Sequence, residues 1–249
     1  MNYTKAVKHY NTNIQNKIRL IVFPYAGGSA SVFKQWENFL STDIEICPIQ
    51  LPGREDRYHE KSFTEIESYI QEFSGYFQRL SDLPFVFFGH SLGALFCYEV
   101  CRYLEKNALP LPLHVFISGA SPPRKFETNE IKEYTDEELK KELISLNGIP
   151  EEFKKNESLF KLFLPIIRSD IALVKTYNYI DDYKFSMPIS VFGGALDKSV
   201  LLTDLKNWNR LANDYCKIYT FSGDHFFLFS EQDKLLSEIN REMKYLLLV

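Results

Sequence analysis

The sequence predicts an α/β fold: a mostly parallel central sheet flanked by helices, with one helical insertion. Three features predict it: six short and nearly continuous apolar runs, helical stretches between them, and one long interval without a strand. Apolar runs of this kind suit strands buried on both faces. Strands that alternate with helices build right-handed βαβ units around a parallel sheet.

Taken in order, the first dozen residues are polar and predict a loose tail or an edge element. The first run, 19–23, is closed by Pro24 and the pair Gly27-Gly28. The second, 44–49, leads into Leu51-Pro-Gly-Arg-Glu55. The third, 84–88, is wholly apolar and runs directly into Gly89-His-Ser-Leu-Gly93. Runs at 115–118, 189–192 and 216–221 complete the sheet, and helices are expected at roughly 33–40, 63–80, 92–106 and 203–213. The interval from about 122 to 180 holds only charged helical pieces, such as Thr135-Asp-Glu-Glu-Leu-Lys-Lys-Glu-Leu143. Thr135 with Glu138 forms a capping-box pattern, and Pro150 and Pro165 are expected to cut the interval into short helices. An insertion here predicts a lid over the carboxyl ends of the strands; the alternative is an ordinary crossover made long. Residues 1–249 read as one domain carrying that lid.

Composition narrows the partners little. The chain has 249 residues and a formal net charge of −4, which points neither to nucleic acid nor to an anionic membrane surface. Cys47, Cys97, Cys101 and Cys216 lack the paired spacing of zinc or redox sites, so no metal is expected. Cys97 and Cys101, four apart in a helix, read as small buried thiols. The N-terminus lacks the apolar stretch of a signal peptide, and the closing Tyr-Leu-Leu-Leu-Val is far too short to span a bilayer. A cytoplasmic protein is expected.

The chemistry centres on Ser91. The Gly-x-Ser-x-Gly pattern alone arises by chance in roughly one chain of this length in ten. Its setting is more selective, with an apolar strand immediately before it and a helix-forming run immediately after. A serine on that sharp turn stands exposed, and the helix aims its N-terminal amides at the reaction centre. Serine needs a base, and of the five histidines His225 follows the last apolar strand in Ser222-Gly-Asp-His-Phe226. His59 is a weaker competitor. His90, His114 and His9 read as structural or peripheral. The orienting acid should follow an earlier strand, which selects Asp197 in Phe192-Gly-Gly-Ala-Leu-Asp197, with Asp204 and Asp224 as rivals. Oxyanion donors are expected from the backbone N–H of Leu92 and of Ala26, with Gly27 the alternative to Ala26. These pieces predict the α/β-hydrolase fold and a Ser91–His225–Asp197 mechanism that needs no cofactor.

The stretches Phe23-Pro-Tyr-Ala-Gly-Gly-Ser-Ala30, Leu51-Pro-Gly-Arg-Glu55, Gly89-His-Ser-Leu-Gly93, Gly193-Gly-Ala-Leu-Asp197 and Gly223-Asp-His-Phe226 together resemble the type II (external) thioesterases that accompany nonribosomal peptide and polyketide synthases. Leu164-Pro-Ile-Ile-Arg-Ser-Asp170, inside the expected lid, looks like a further signature of that family. The resemblance runs from about residue 18 to the end. It departs at Tyr25, where histidine is common, and at Ser169, where alanine is common. It implies hydrolysis of acyl or aminoacyl thioesters on the phosphopantetheine arm of carrier proteins, which clears stalled or wrongly loaded carriers. Two other readings stand beside it: a carboxylesterase or general acyl thioesterase of the same fold, and a non-catalytic binding module.

Overall fold

The computed structural model describes residues 5–124, 133–148, 154–213 and 215–248. Strands β1 (Ile18–Phe23), β2 (Ile44–Pro48), β3 (Phe85–His90), β4 (Val115–Ser118), β5 (Ile189–Gly194) and β6 (Cys216–Phe221) form one sheet in the order β2-β1-β3-β4-β5-β6. Every neighbouring pair is parallel. All residues of β1 to β5 are buried, whereas β6, at the edge, is mostly half-buried. This is why the first five read as nearly continuous apolar runs. The N-terminal segment supplies an edge element, with Val7 and Tyr10 bridging antiparallel to Ile49 and Ile46 beyond β2.

The chain enters the sheet one strand in from the edge, steps out to β2, then returns across β1 to β3. The strand order therefore reverses between β1 and β3, and the loops leaving their carboxyl ends diverge to opposite faces. A crevice opens where they part, the usual ligand position in parallel α/β sheets. The pairing of Phe23 with Gly89 puts the loop after β1 beside the turn after β3.

Helix α1 (Ile66–Leu80) buries Ile66, Tyr69, Phe73, Phe77 and Leu80, the three- and four-residue spacing that lays one apolar stripe on the sheet. Helix α2 (Leu92–Lys106) lies on the same face, buries ten residues including Cys97 and Cys101, and is the central packing element there. On the opposite face, Phe33 and Trp36 belong to a 3₁₀ helix (Ala30–Asn38), the form taken by the helix expected at 33–40. The helix expected at 203–213 is likewise a single α-turn (Leu202–Leu205) continued by a 3₁₀ helix (Lys206–Leu211).

Between β4 and β5 the described residues hold α3 (Asp136–Ser145) and α4 (Glu157–Thr176). Thr135 and Glu138 form the anticipated capping box. Pro150 lies outside the described residues. Pro165 does not cut the segment: α4 runs through it for 20 residues. Proline there removes one helical hydrogen bond, but Leu164, Ile166 and Ile167 beside it are buried, so packing carries the helix across. Leu139 on α3 packs with Phe160, Leu164 and Ile167 on α4 in a small cluster separate from the two that line the faces of the sheet. Helix α5 (Gln232–Leu246) was not anticipated, although Leu235, Leu236, Ile239 and Met243 give it a clear helical stripe. Among the described residues no helix is long and apolar enough to cross a membrane.

Candidate active site

Strand β3 ends at His90 and α2 begins at Leu92, so Ser91 alone makes the turn, with φ 54° and ψ −115°. A non-glycine residue at positive φ is strained and persists only when its surroundings hold it. Here its N–H donates to the carbonyl of Ser118 (2.8 Å) and its carbonyl accepts from Ala94 N–H (2.9 Å). The turn also needs close backbone approach on both sides. A Cβ on Gly89 would lie 2.1 Å from the Gly93 carbonyl oxygen, and one on Gly93 would lie 2.1 Å from that of Phe23.

His225 arrives from the loop after β6 and Asp197 from the loop after β5. The two loops are laced by Ala195 N–H donating to Phe221 O and Leu196 N–H donating to Gly223 O, both 2.8 Å. His225 Nδ1 donates to Asp197 Oδ2 at 2.8 Å, which leaves Nε2 as the acceptor for the Ser91 hydroxyl at 3.2 Å. The other Asp197 oxygen accepts from Ser199 N–H (2.8 Å) and Val200 N–H (3.1 Å). Burial pushes the Asp197 carboxyl up, but the His225 contact and these two amides outweigh it and hold the group below the usual carboxylate range. The arrangement can draw a proton from Ser91 and keep the resulting imidazolium paired.

The loop from Pro24 to Ala30 faces this centre. Leu92 lines the cavity beside Ser91, and among the described residues both its N–H and that of Ala26 are unclaimed by a protein acceptor. Gly27 N–H is not: it donates to Asp170 Oδ2 at 2.7 Å. The alternative donor is therefore occupied by a side chain from α4. Tyr25, at the family departure, packs edge-on against His90 and Phe226, and burial pushes its hydroxyl up to about 12. Ser169, the other departure, donates its hydroxyl back to the Pro165 carbonyl on the exposed side of α4.

Ser91 and His225 open onto a cavity of about 440 Å³ walled by Leu95, Pro122, Val174, Val200 and Trp208. Trp208 is fixed by its indole N–H donating to the Ala120 carbonyl at 2.8 Å. None of these walls was singled out in the sequence, because they come from five separate segments that only the fold brings together.

The competing residues lie elsewhere in function. Asp204 accepts from Leu201 N–H at the start of its helical turn, and Asp224 accepts from Asn147 and from Phe226 N–H. His90 is buried below the turn and hydrogen-bonded to Ser118 Oγ (2.9 Å); burial, and then the neighbouring His225, hold it well below the usual histidine range. His114 pairs with Ser190 Oγ, and His59 is exposed beside Tyr58. His9, Glu45 and Cys47 place ligand-type atoms within 4.8 Å of one another. That cluster is already served by Arg19 Nε, 2.6 Å from Glu45, and burial pushes the Cys47 thiol up, away from the thiolate a metal requires.

Residues 18–243 match the thioesterase domain family. The chain is 34% identical to the gramicidin S biosynthesis protein GrsT of Aneurinibacillus migulanus, over 95% of this chain and 93% of that protein. It is 30% identical to the medium-chain S-acyl fatty acid synthase thioesterase of Homo sapiens, over 90% of this chain and 86% of that protein. The fold superposes on the type II thioesterase BorB from the borrelidin biosynthetic cluster with a TM-score of 0.85 and 28% identity, covering 97% of this chain and 98% of that one.

Proposed function

The chain belongs to the thioesterase domain family, and from that premise we propose that Ser91, His225 and Asp197 hydrolyse acyl thioesters carried on the phosphopantetheine arm of carrier proteins. It is a serine hydrolase of thioesters, of the type II kind found in nonribosomal peptide and polyketide biosynthesis. The observation that carries the residue assignment is the relay from Ser91 Oγ through His225 to Asp197, at 3.2 and 2.8 Å.

In this reading His225 Nε2 takes the Ser91 proton as Oγ attacks the thioester carbonyl. The carbonyl oxygen becomes an oxyanion facing the N–H groups of Ala26 and Leu92, where fixed donors stabilise charge as it develops. Collapse expels the pantetheine sulfur, which leaves as a thiol after taking the proton from His225. Water then enters, gives a proton to the same nitrogen, and attacks the acyl-serine. Its collapse releases the carboxylic acid and returns the proton to Ser91. The apolar cavity receives the acyl chain.

Residues from about 122 to 180 act as the lid. In support, α3 and α4 share a hydrophobic cluster of their own, and Val174 and Tyr177 line the cavity. Cytoplasmic carrier domains are the partners, and clearing stalled or misloaded carriers is the task. The relatives name thioesterases and biosynthesis proteins, which disfavours a simple carboxylesterase. The test presents one acyl group either on a carrier or on coenzyme A and compares kcat/KM at low and high salt. The carrier should win, with its advantage shrinking at high salt if charge steers docking. A higher value for coenzyme A at both salt concentrations overturns the carrier reading and leaves a general acyl thioesterase.

A further inference from the structure

Asp170 is a carboxylate on the otherwise apolar buried stripe of α4, only 1% exposed, and the reaction just described does not use it. It meets Arg54, from the segment after β2, in a two-pronged pair: Nη2 donates to Oδ1 at 2.8 Å and Nη1 to Oδ2 at 2.9 Å. Both side chains are nearly inaccessible, at 4% and 2%. A buried ion pair is a weak source of stability, since desolvation offsets most of its attraction and apolar residues of similar volume often do as well. What this pair does beyond its own attraction is grip the loop after β1. Asp170 Oδ2 also accepts Gly27 N–H at 2.7 Å, and Arg54 Nη1 also donates to the Gly28 carbonyl at 2.9 Å.

The gripped residues form a β-turn. Gly28 N–H donates to the Tyr25 carbonyl at 2.8 Å, which makes Ala26 and Gly27 its central residues, and Gly27 has φ +79°. Positive φ at the third position is the mark of a type II turn, which differs from type I by a flip of the central peptide. In the observed form the Gly27 N–H points at Asp170. A flip would turn the Ala26 carbonyl oxygen toward that carboxylate and leave the N–H without it, so the negative charge selects one orientation. Farther along the loop, Gln50 Oε1 accepts Ala30 N–H at 2.8 Å, and Gln50 itself donates to the Arg54 carbonyl. Helix α4 also lies directly on the turn: a Cβ on Gly27 would come 2.8 Å from Phe163 Cζ.

We infer that Asp170 and Arg54 are positioning residues for the oxyanion loop: they hold the turn that presents Ala26 N–H to the reacting carbonyl, and they tie that turn to helix α4. The inference rests on the proposed role of Ala26 and deepens it. Loss of the grip should therefore affect transition-state stabilisation more than substrate binding.

The test measures Asp170→Asn and Arg54→Lys. Asparagine keeps the shape and removes the charge; lysine keeps the charge and loses the fork that spans Asp170 and Gly28. Activity is expressed per active site, titrated with a fluorophosphonate, so that misfolded enzyme does not count. Removing an oxyanion donor outright costs about 10² to 10³ in kcat, so misplacing one should cost about 10- to 100-fold, with KM for an acyl-pantetheine within about threefold. An alkylboronic acid, whose serine adduct places an oxygen in the oxyanion site, should weaken in parallel with kcat. A non-hydrolysable thioether analogue of the substrate should bind unchanged. A kcat per titrated site within twofold of wild type in both variants overturns the inference, as does equal weakening of boronate and thioether. If Asp170→Asn yields no titratable enzyme, Arg54→Lys decides alone by the same criteria. Failure of the underlying reading looks different: wild-type enzyme would then not be labelled at Ser91 or would not hydrolyse the thioester at all.

Discussion

Asp197 gives one carboxylate oxygen to His225 Nδ1 at 2.8 Å and reserves the other for two backbone amides. That division fixes the carboxylate in rotation, so it can hold the imidazole in one plane and in the tautomer whose Nε2 faces Ser91. Asparagine at this position would present an NH₂ to one set of donors or the other and favour the wrong tautomer. Asp197→Asn should lower kcat by about 10³- to 10⁴-fold. Asp204→Asn and Asp224→Asn, which touch a helix start and a loop, should each lower it far less. Parallel steady-state assays of the three variants check this, and a larger loss at either rival would reassign the acid.

Ser91 turns the chain at a positive φ that its side chain opposes, and the turn persists because hydrogen bonds on both sides hold it. Ser91→Ala should reduce hydrolysis by about 10⁴- to 10⁶-fold. The same variant should refuse a fluorophosphonate that labels the wild type. Circular dichroism should stay unchanged, since the elbow backbone is held by Ser118 O and Ala94 N–H and not by the hydroxyl. Retention of a tenth of the activity in a folded variant would remove Ser91 from the mechanism.

Much of the frame was legible because burial leaves a direct trace in composition. Strands β1 to β5 are buried along their whole length and appear as nearly continuous apolar runs. That Ser91, His225 and Asp197 would meet was readable from where each follows a strand, since connections at the carboxyl edge of a parallel sheet have few places to go. Two kinds of feature were not. The distinction between α and 3₁₀ geometry at 30–38 depends on tertiary fit, because either helix buries Phe33 and Trp36. Arg54 and Asp170 both stand inside recognisable stretches, but they lie 116 residues apart, and no local pattern says that they meet or that Gly27 N–H lies between them. Pro165 misled for a related reason: the local cost of proline in a helix is visible in sequence, and the burial of its neighbours that outweighs it is not.

The cavity wall gives a prediction about chain length. Val174 comes from α4 and, with Leu95 of α2, lines the space beside Ser91. Val174→Phe should fill part of that space without touching Ser91, His225 or Asp197. Longer acyl groups should then lose kcat/KM by about tenfold or more, as the loss of a few buried methylene contacts implies, while acetyl transfer to water is spared. A series of acyl-pantetheines of increasing length measures this. A uniform loss across the series would mean that the acyl chain lies elsewhere.

Acid stability should be set in part by buried histidines that take no part in the proposed chemistry. His114 is buried with its Nε2 on Ser190 Oγ, and burial lowers it from 6.5 to about 4 despite some opposing help from Glu242. The unfolded chain therefore binds a proton at this position in a range where the native protein does not. Stability rises with pH wherever the unfolded state holds more protons. The contribution is fully present above pH 6.5, fades as pH falls below that value, and is lost once pH passes about 4. The full difference corresponds to about 3 kcal/mol, and His90, shifted in the same direction for the same reason, adds to it. Urea unfolding at intervals from pH 7.5 to 4 should show stability declining through this window. His114→Gln keeps a hydrogen-bonding group near Ser190 but cannot take up the proton, so its stability should fall less steeply with acidification even if it starts lower. Equal slopes for variant and wild type would show that His114 is protonated in the folded protein as readily as in the unfolded chain, and that burial at this strand does not exclude the charge.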